Sequence, residues 1–440
     1  MAQTRQLLDG TRITDHRLPV PLAWHRPEGE HIEIYAREIV GADAASSGDA
    51  ESLPALLFLQ GGPGGKGIRP ARLGGWMEEA ARQFRIIMLD QRGTGLSTPL
   101  HRQSLARWQS PQQQAAYLRH FRADSIVRDA EALRQHLGLT SWSVLGQSYG
   151  GFCTLTYLSF APQSLDRALI TGGLAPLSGH ADEVYRHTYP KMAARNAEYF
   201  NRFPEDRGRL DAVIQVLRER RGSGDPVRLA DGSELTVARL QMLGMLLGGN
   251  TRIDTLHYLL EEAFAGVPAG ELSDTFLAGV GSQISFAASP MYAVLHESIY
   301  GQPAELTGGR AATDWAAERV LAEHPEFSAG AESPLLTGEM ILREHVRLDP
   351  ALAPLYAATE ELASVQDWEP LYDLAQLGRN EVPAAAAVYT DDVFVARELS
   401  LDTAGYVAGL SVWETDAFHH DGIHDDGALI FRELLKRTQR

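Results

Sequence analysis

The chain has 440 residues, of which 44% are hydrophobic and 22% charged, as in an ordinary globular protein with a large core. Its formal net charge of −17 argues against binding to nucleic acid, whose phosphates need cationic partners. Cys153 is the one cysteine, so no disulfide within the chain is possible. Residues 1–6 lack the apolar segment of a signal peptide, and no stretch approaches the ~20 apolar residues of a membrane span. We therefore expect a cytoplasmic protein that does not bind membranes.

Strands and helices alternate along the first third of the chain. We predict strands at residues 31–40, 53–60, 84–89, 143–146 and 168–172, and those at 53–60 and 84–89 are continuous apolar runs, as expected in the middle of a parallel sheet. Residues 125–137 carry apolar side chains at helical spacing between the third and fourth of these strands. Such alternation predicts an α/β protein whose mostly parallel central sheet has helices on both faces.

The pattern becomes helical after about residue 176 and returns to strands near residue 382. Helix-like stretches such as 210–220, 240–247 and 255–264 lie in between, and strand patterns follow at 382–389 and 410–414. We predict a catalytic domain made of residues 1–176 and 374–440. A helical domain of residues 177–373, called the cap below, is predicted to be inserted between two strands of that domain.

The segment Gly146-Gln147-Ser148-Tyr149-Gly150 fits G-x-S-x-G, the pattern of a nucleophile elbow. An apolar strand precedes it, and the residues that follow can begin a helix. A sharp turn between strand and helix forces the central serine into a strained backbone conformation and holds its hydroxyl out at the edge of the sheet. The motif predicts Ser148 as a catalytic nucleophile.

A carboxylate and a histidine follow later strands in the order that this kind of site requires. Asp392 comes just after the strand at 382–389, and His420 lies in the loop after the strand at 410–414. A serine needs a neutral imidazole to take its proton and a buried carboxylate to orient that imidazole. The alternatives are Asp391 for the acid and His419 or His424 for the base.

A second glycine-rich loop, residues 61–67, follows the strand at 53–60. It fits the dinucleotide-binding pattern G-x-G-x-x-G, but Pro63 has no N–H and interrupts the amide cradle that a pyrophosphate needs. Gly67 stands where a phosphate-binding P-loop would have Ser or Thr. We predict instead an oxyanion loop, in which the N–H groups of Gly62 and Tyr149 point at the developing oxyanion.

Three motifs together resemble the proline iminopeptidase (prolyl aminopeptidase) family of α/β-hydrolases. They are Gln60-Gly61-Gly62-Pro63-Gly64, Asp90-Gln91-Arg92-Gly93-Thr94-Gly95 and Gly146-Gln147-Ser148-Tyr149-Gly150-Gly151. The resemblance continues at residues 296–300, 336–340, 388–392 and 420–422, so it covers nearly the whole chain and is closest to the larger bacterial form. Gln60 departs from the smaller members, which have His before the two glycines. The resemblance implies an α/β-hydrolase fold with an inserted cap, and release of N-terminal proline from peptides.

The resemblance also implies how the substrate is recognised. Glu297 matches the family's amine-binding glutamate, and Glu339 is a second candidate. A carboxylate 4 Å from a charged amino terminus gains about 4 kcal/mol at an effective dielectric of ~20, before desolvation. The expected partners are short peptides with N-terminal proline, with no metal or organic cofactor, and the oligomeric state is left open.

Two other functions remain as alternatives. A carboxylesterase or amidase of the same fold would use the same serine without needing carboxylates in the cap. A non-catalytic binding protein built on a hydrolase fold would be expected to have lost part of the triad.

Overall fold

A nine-stranded sheet forms the centre of the molecule in the computed structural model, which describes residues 3–439. Met1, Ala2 and Arg440, which the predicted ranges include, lie outside the described residues. The strands are β1 (Gln3–Gln6), β2 (Arg12–Pro21), β3 (His31–Val40), β4 (Ala55–Leu59), β5 (Arg85–Asp90), β6 (Trp142–Gln147), β7 (Leu165–Thr171), β8 (Ala384–Tyr389) and β9 (Leu410–Thr415). Their order in the sheet is β1-β2-β3-β5-β4-β6-β7-β8-β9. In this order, pairing is antiparallel from β1 through β2 and β3 to β5. It is parallel from β5 through β4, β6, β7 and β8 to β9, so the predicted mostly parallel sheet is confirmed.

Helices cover both faces of the sheet. Helices also make up most of the chain between β7 and β8, two strands that are neighbours in the sheet. Those before β7 are α1 (Ala42–Ser47), α2 (Gly75–Ala80), α3 (Arg102–Leu105), α4 (Pro111–Leu118), α5 (Ala123–His136) and α6 (Tyr149–Phe160). Those between β7 and β8 are α7 (Ala181–Arg202), α8 (Pro204–Gly222), α9 (Val237–Gln241), α10 (Arg252–Glu261), α11 (Asp274–Ile284), α12 (Pro290–Val294), α13 (Ala316–Leu321), α14 (Arg343–Leu348), α15 (Tyr356–Ala363) and α16 (Leu374–Leu377). The last two are α17 (Arg397–Tyr406) and α18 (Gly422–Arg437), and α18 is kinked at Asp426.

Strand β4 shows why the sheet is buried on both faces. Successive side chains of a strand point to opposite faces, so a strand that is covered on both sides is apolar throughout. All five residues of β4 are buried. Leu57 and Leu59 pack into the core beneath α5 and α6, whereas Leu56 and Phe58 pack into the core beneath α2 and α18. The ring of Phe58 stacks on Trp76 of α2 with 4.6 Å between the ring centroids.

The segment between β7 and β8 is helical, as predicted for the cap. Among its described residues there is no strand, and the one isolated bridge joins Arg228 and Glu234. Its helices share a core of their own, which includes Tyr189, Leu243 and Phe276. The domain boundaries at residues 176 and 373 stay a prediction.

The parallel part of the sheet brings three loops to one edge. Strand β6 ends level with β7, where Gln147 pairs with Thr171, and β8 ends level with β9, where Tyr389 pairs with Thr415. Because the carboxyl ends of parallel strands lie on the same side, the residues after β6, β8 and β9 meet there. We call this side the catalytic edge.

Candidate active site

The turn after β6 has the strained geometry of a nucleophile elbow. Ser148 lies between β6 and α6 with φ 52° and ψ −122°, a conformation that costs a residue with a side chain about 1–3 kcal/mol. The flanking glycines allow the close approach that the turn needs. A Cβ on Gly150 would lie 1.9 Å from the carbonyl oxygen of Leu59, and one on Gly146 would lie 2.3 Å from that of Gly150. The sequence of the elbow therefore lets α6 pack directly against β4.

A continuous line of hydrogen bonds joins the three side chains predicted from the sequence. The distance from His420 Nε2 to Ser148 Oγ is 2.9 Å. On the other side of the ring, His420 Nδ1 lies 2.9 Å from Asp392 Oδ2 and 3.1 Å from Oδ1. Asp392 Oδ1 also accepts the backbone N–H groups of Phe394 and Val395, both at 2.9 Å, and these fix the carboxylate in place. This geometry lets the imidazole receive a proton from the serine while the carboxylate holds its tautomer.

The charge state of His420 is set by opposing effects. Burial of the ring disfavours the imidazolium and lowers its pKa. The negative charge and hydrogen bond of Asp392 outweigh burial, with help from the charges of Glu339 and Asp421, and the pKa is raised from 6.5 to about 9. The site therefore stabilises the imidazolium, which is the form that must appear when the serine attacks.

The alternative acid and bases lie elsewhere. Asp391 is exposed to solvent. His419 turns away from the serine, and its Nδ1 lies 2.7 Å from Asn250 Oδ1 of the cap. The side chain of His424 is 59% exposed, with its nearest carboxylate oxygen, on Asp421, 3.9 Å away. The structure thus brings Asp392 and His420 to Ser148 and leaves their three rivals outside.

The glycine-rich loop after β4 lies directly against the elbow. A Cβ on Gly61 would be 3.0 Å from Ser148 Cβ, so the backbone of Gly61, the residue before Gly62, passes beside the nucleophile. Tyr149 is the first residue of α6, and an N–H group at that position has no acceptor within the helix. The predicted donors therefore lie in the two segments that border Ser148. The Ser289 hydroxyl donates to the carbonyl oxygen of Gly64 at 2.9 Å, which ties the cap to this loop.

The two cap glutamates have different surroundings. Glu297 Oε1 accepts the N–H of Ala317 at 3.0 Å, while Oε2 is buried and has no hydrogen-bond partner within residues 3–439. Burial raises the pKa of Glu297 to about 7, in spite of the N–H groups near it. Glu339 Oε1 accepts the hydroxyl of Tyr292 at 2.6 Å. Burial also raises the pKa of Glu339, and the nearby positive charge of His420 opposes the rise, so Glu339 is electrostatically coupled to the catalytic edge.

Comparison with known proteins identifies relatives of this chain. A proline iminopeptidase from Aeromonas sobria is 42% identical over 433 residues, which cover 98% of this chain and 97% of that protein. The chain belongs to the proline iminopeptidase family. A second member, proline iminopeptidase aneH from Aspergillus aculeatus, is 32% identical over 96% of this chain and 93% of its own. A sequence model described as the alpha/beta hydrolase fold matches residues 54–212. The family and fold inferred from the sequence motifs are therefore confirmed.

Several contacts of this proline iminopeptidase family member were not foreseen from its sequence. The bond from Tyr292 to Glu339 and the contact between Asn250 and His419 join residues that are 47 and 169 positions apart. No motif or periodicity marks such pairs.

Within residues 3–439, no three His, Cys, Asp or Glu side chains come together in a way that could hold a metal ion. None of the helices in the described part of the chain is long and apolar enough to cross a membrane.

Proposed function

We propose that the protein is a serine aminopeptidase that releases N-terminal proline from short peptides. The observation that carries this proposal is the hydrogen-bonded line from Ser148 through His420 to Asp392. It lies at the catalytic edge of a chain whose similarity to a proline iminopeptidase extends over 98% of its length.

The proposed reaction begins when Ser148 Oγ attacks the carbonyl carbon of the substrate's proline. His420 Nε2, 2.9 Å away, takes the hydroxyl proton, and Asp392 stabilises the imidazolium that forms. His420 then gives this proton to the leaving amine, which departs and leaves a prolyl ester on Ser148. Water then attacks the ester with the same histidine as base. Proline is released and the free serine is regenerated.

The negative charge of the tetrahedral intermediate needs donors that are fixed before the reaction. We assign this role to the N–H groups of Gly62 and Tyr149, because they belong to the two backbone segments that border Ser148. Loss of one such donor costs about 3–4 kcal/mol of transition-state stabilisation in enzymes of this kind.

Recognition of the free amino terminus is assigned to the two cap glutamates. We place Glu339 nearer the reacting atoms than Glu297, because it lines one cavity with Phe394, whose ring centroid is 5.1 Å from that of His420. Glu297 is held by the backbone around Ala317 and keeps one oxygen without a partner. This order reverses the ranking made from the sequence, where Glu297 was the first candidate.

The decisive experiment replaces the nucleophile. Ser148→Ala should abolish cleavage of prolyl-β-naphthylamide and labelling by a serine-directed fluorophosphonate, with the circular dichroism spectrum unchanged. Ser159→Ala is the matched control, because Ser159 lies on the same helix and its hydroxyl is occupied by the carbonyl oxygen of Leu155. Cleavage by the Ser148 variant would reject the mechanism. Labelling of the native protein with hydrolysis of p-nitrophenyl esters but not of prolyl amides would favour the esterase.

A further inference from the structure

A short segment of the cap, residues 248–252, lies on the loop between β9 and α18 that carries His420, residues 416–421, which we call the histidine loop. The carbonyl oxygen of Gly248 accepts the N–H of Asp421 at 3.0 Å. Asn250 donates its backbone N–H to Asp425 Oδ2 at 3.1 Å and its side-chain amide to the carbonyl oxygen of Ala417 at 2.8 Å. The hydroxyl of Thr251 donates to Asp425 Oδ1 at 3.1 Å, and Asn250 Oδ1 faces His419 Nδ1 at 2.7 Å. These bonds hold the histidine loop on both sides of His420.

The segment is itself fixed to the cap. The buried side chain of Arg195, on helix α7, donates to the carbonyl oxygens of Leu247 at 3.0 Å and Gly249 at 3.1 Å. A Cβ on Gly248 would lie 2.3 Å from the ring of Phe394, whose centroid is 5.1 Å from that of His420. The histidine ring is thus supported through Phe394 by the same backbone that bonds its loop.

An ion pair between Arg252 and Asp421 accompanies these hydrogen bonds. Arg252 Nη1 lies 2.6 Å from Asp421 Oδ2 in an ion pair whose arginine side chain is 42% exposed. The carboxylates whose charges act on His420 are Asp392 after β8, Glu339 from the cap and Asp421 on its own loop. Of these, Asp421 is the one paired with a cation, so Arg252 offsets part of the negative field at the ring.

We propose that residues 248–252 are a positioning element for His420, in which Asn250 fixes the histidine loop and Arg252 balances the charge of Asp421. The inference rests on the proposed role of His420 as the base. It assigns to the cap a second task besides substrate recognition, because the catalytic histidine is correctly placed only while the cap is docked on its loop.

The two parts of the proposal predict different kinetic effects. Asn250→Ala removes neutral hydrogen bonds, so kcat for prolyl-β-naphthylamide should fall about 10- to 100-fold, as expected for a displaced base, with its pH profile unmoved. Arg252→Gln leaves Asp421 without its cation, so the pH at which activity rises should move upward by roughly half a unit. Arg252→Lys should restore the native profile, because it keeps the charge.

Arg202→Gln is the matched control. Arg202 pairs at 2.8 Å with Asp254, which lies on the helix that Arg252 begins. Among the described residues, Arg202 forms no ion pair with the histidine loop, so this variant should behave as the native protein. The double variant Arg252→Gln/Asp421→Asn removes both charges and should bring the pH profile back to the native position or below it. Because Arg252 is partly exposed, its replacement leaves the core intact, and circular dichroism can verify the fold of each variant.

The inference is overturned if Asn250→Ala and Arg252→Gln match Arg202→Gln in both kcat and pH profile while the native enzyme is active and labelled at Ser148. A native protein that cleaves no prolyl substrate and takes no fluorophosphonate would instead overturn the proposed function. Should Asn250→Ala not fold, Thr251→Val removes one bond to Asp425 and provides the same test of kcat.

Discussion

Replacing Asp392 by Asn tests the electrostatic reasoning about the triad with almost no change in shape. The Oδ1 of residue 392 would still accept the N–H groups of Phe394 and Val395, so the new amide would put its NH₂ where Oδ2 now lies, 2.9 Å from His420 Nδ1. An NH₂ group at that place donates to Nδ1, which forces the ring proton onto Nε2. A protonated Nε2 cannot accept the proton of the serine.

The size of the effect follows from the pKa of His420. A rise from 6.5 to about 9 means that the surrounding charges stabilise the imidazolium by about 3 kcal/mol, net of burial. Asp392 is the largest source of this stabilisation of the imidazolium. Its loss should therefore lower kcat about 300-fold, and the wrong tautomer should lower kcat further. Burial would then dominate, so the pH at which the remaining activity rises should move below 6.5.

The assay is kcat/KM for prolyl-β-naphthylamide between pH 5 and pH 10. Asp391→Asn is the control, because it removes an exposed carboxylate next to Asp392, and we expect activity within about twofold of native. An Asp392→Asn enzyme within tenfold of native, or an unmoved pH profile, would refute the assignment of the acid. Equal losses in the two variants would show that the loop and not the charge matters.

Three more predictions follow from the site and its surroundings. In the native enzyme, kcat/KM should increase as pH rises through the pKa of His420, because only the neutral ring accepts a proton. The inflection should lie nearer pH 9 than pH 6.5, and a flat profile from pH 7 to pH 10 would contradict this. Glu339→Gln should lower kcat/KM for prolyl-β-naphthylamide about 100-fold and Glu297→Gln less. Hydrolysis of an N-acetylproline ester, which has no ammonium group, should not fall in parallel; Glu339→Gln should move only its pH profile downward, because the charge of Glu339 helps to raise the pKa of His420. Gly150→Ala should lower the free energy of unfolding by about 3 kcal/mol or more, because its Cβ would lie 1.9 Å from a β4 carbonyl oxygen; thermal unfolding should show no such loss for Gly208→Ala, which has open space around it.

The sequence predicted the parallel half of the sheet better than its antiparallel edge. Strands β3 to β9 are mostly buried or half-buried, and each was found near its predicted position. Strand β2 was not foreseen, because Pro19 and Pro21 argue against a strand. The register explains their presence. Both prolines pair with β3, but the N–H of the next residue, Leu22, points toward that side of β2, so the nitrogens of Pro19 and Pro21 face the other side. There, among the described residues, β1 pairs only with residues 12–15 of β2 and does not reach the prolines.

The triad could be predicted from the sequence better than the residues of the cap. Ser148, Asp392 and His420 could be proposed because each follows a recognisable strand and parallel strands bring their ends together. The cap offers no such rule, because its helices pack through irregular side-chain contacts between distant positions. The choice between Glu297 and Glu339 depends on such contacts, which neither spacing nor composition contains.

The tie between Ser289 and the carbonyl oxygen of Gly64 places the cap above a nucleophile that is only 6% exposed. The body of a folded protein is far too large to reach a hydroxyl enclosed in this way. Under the proposed function, a thin, extended chain end is the form of substrate suited to such an enclosed site.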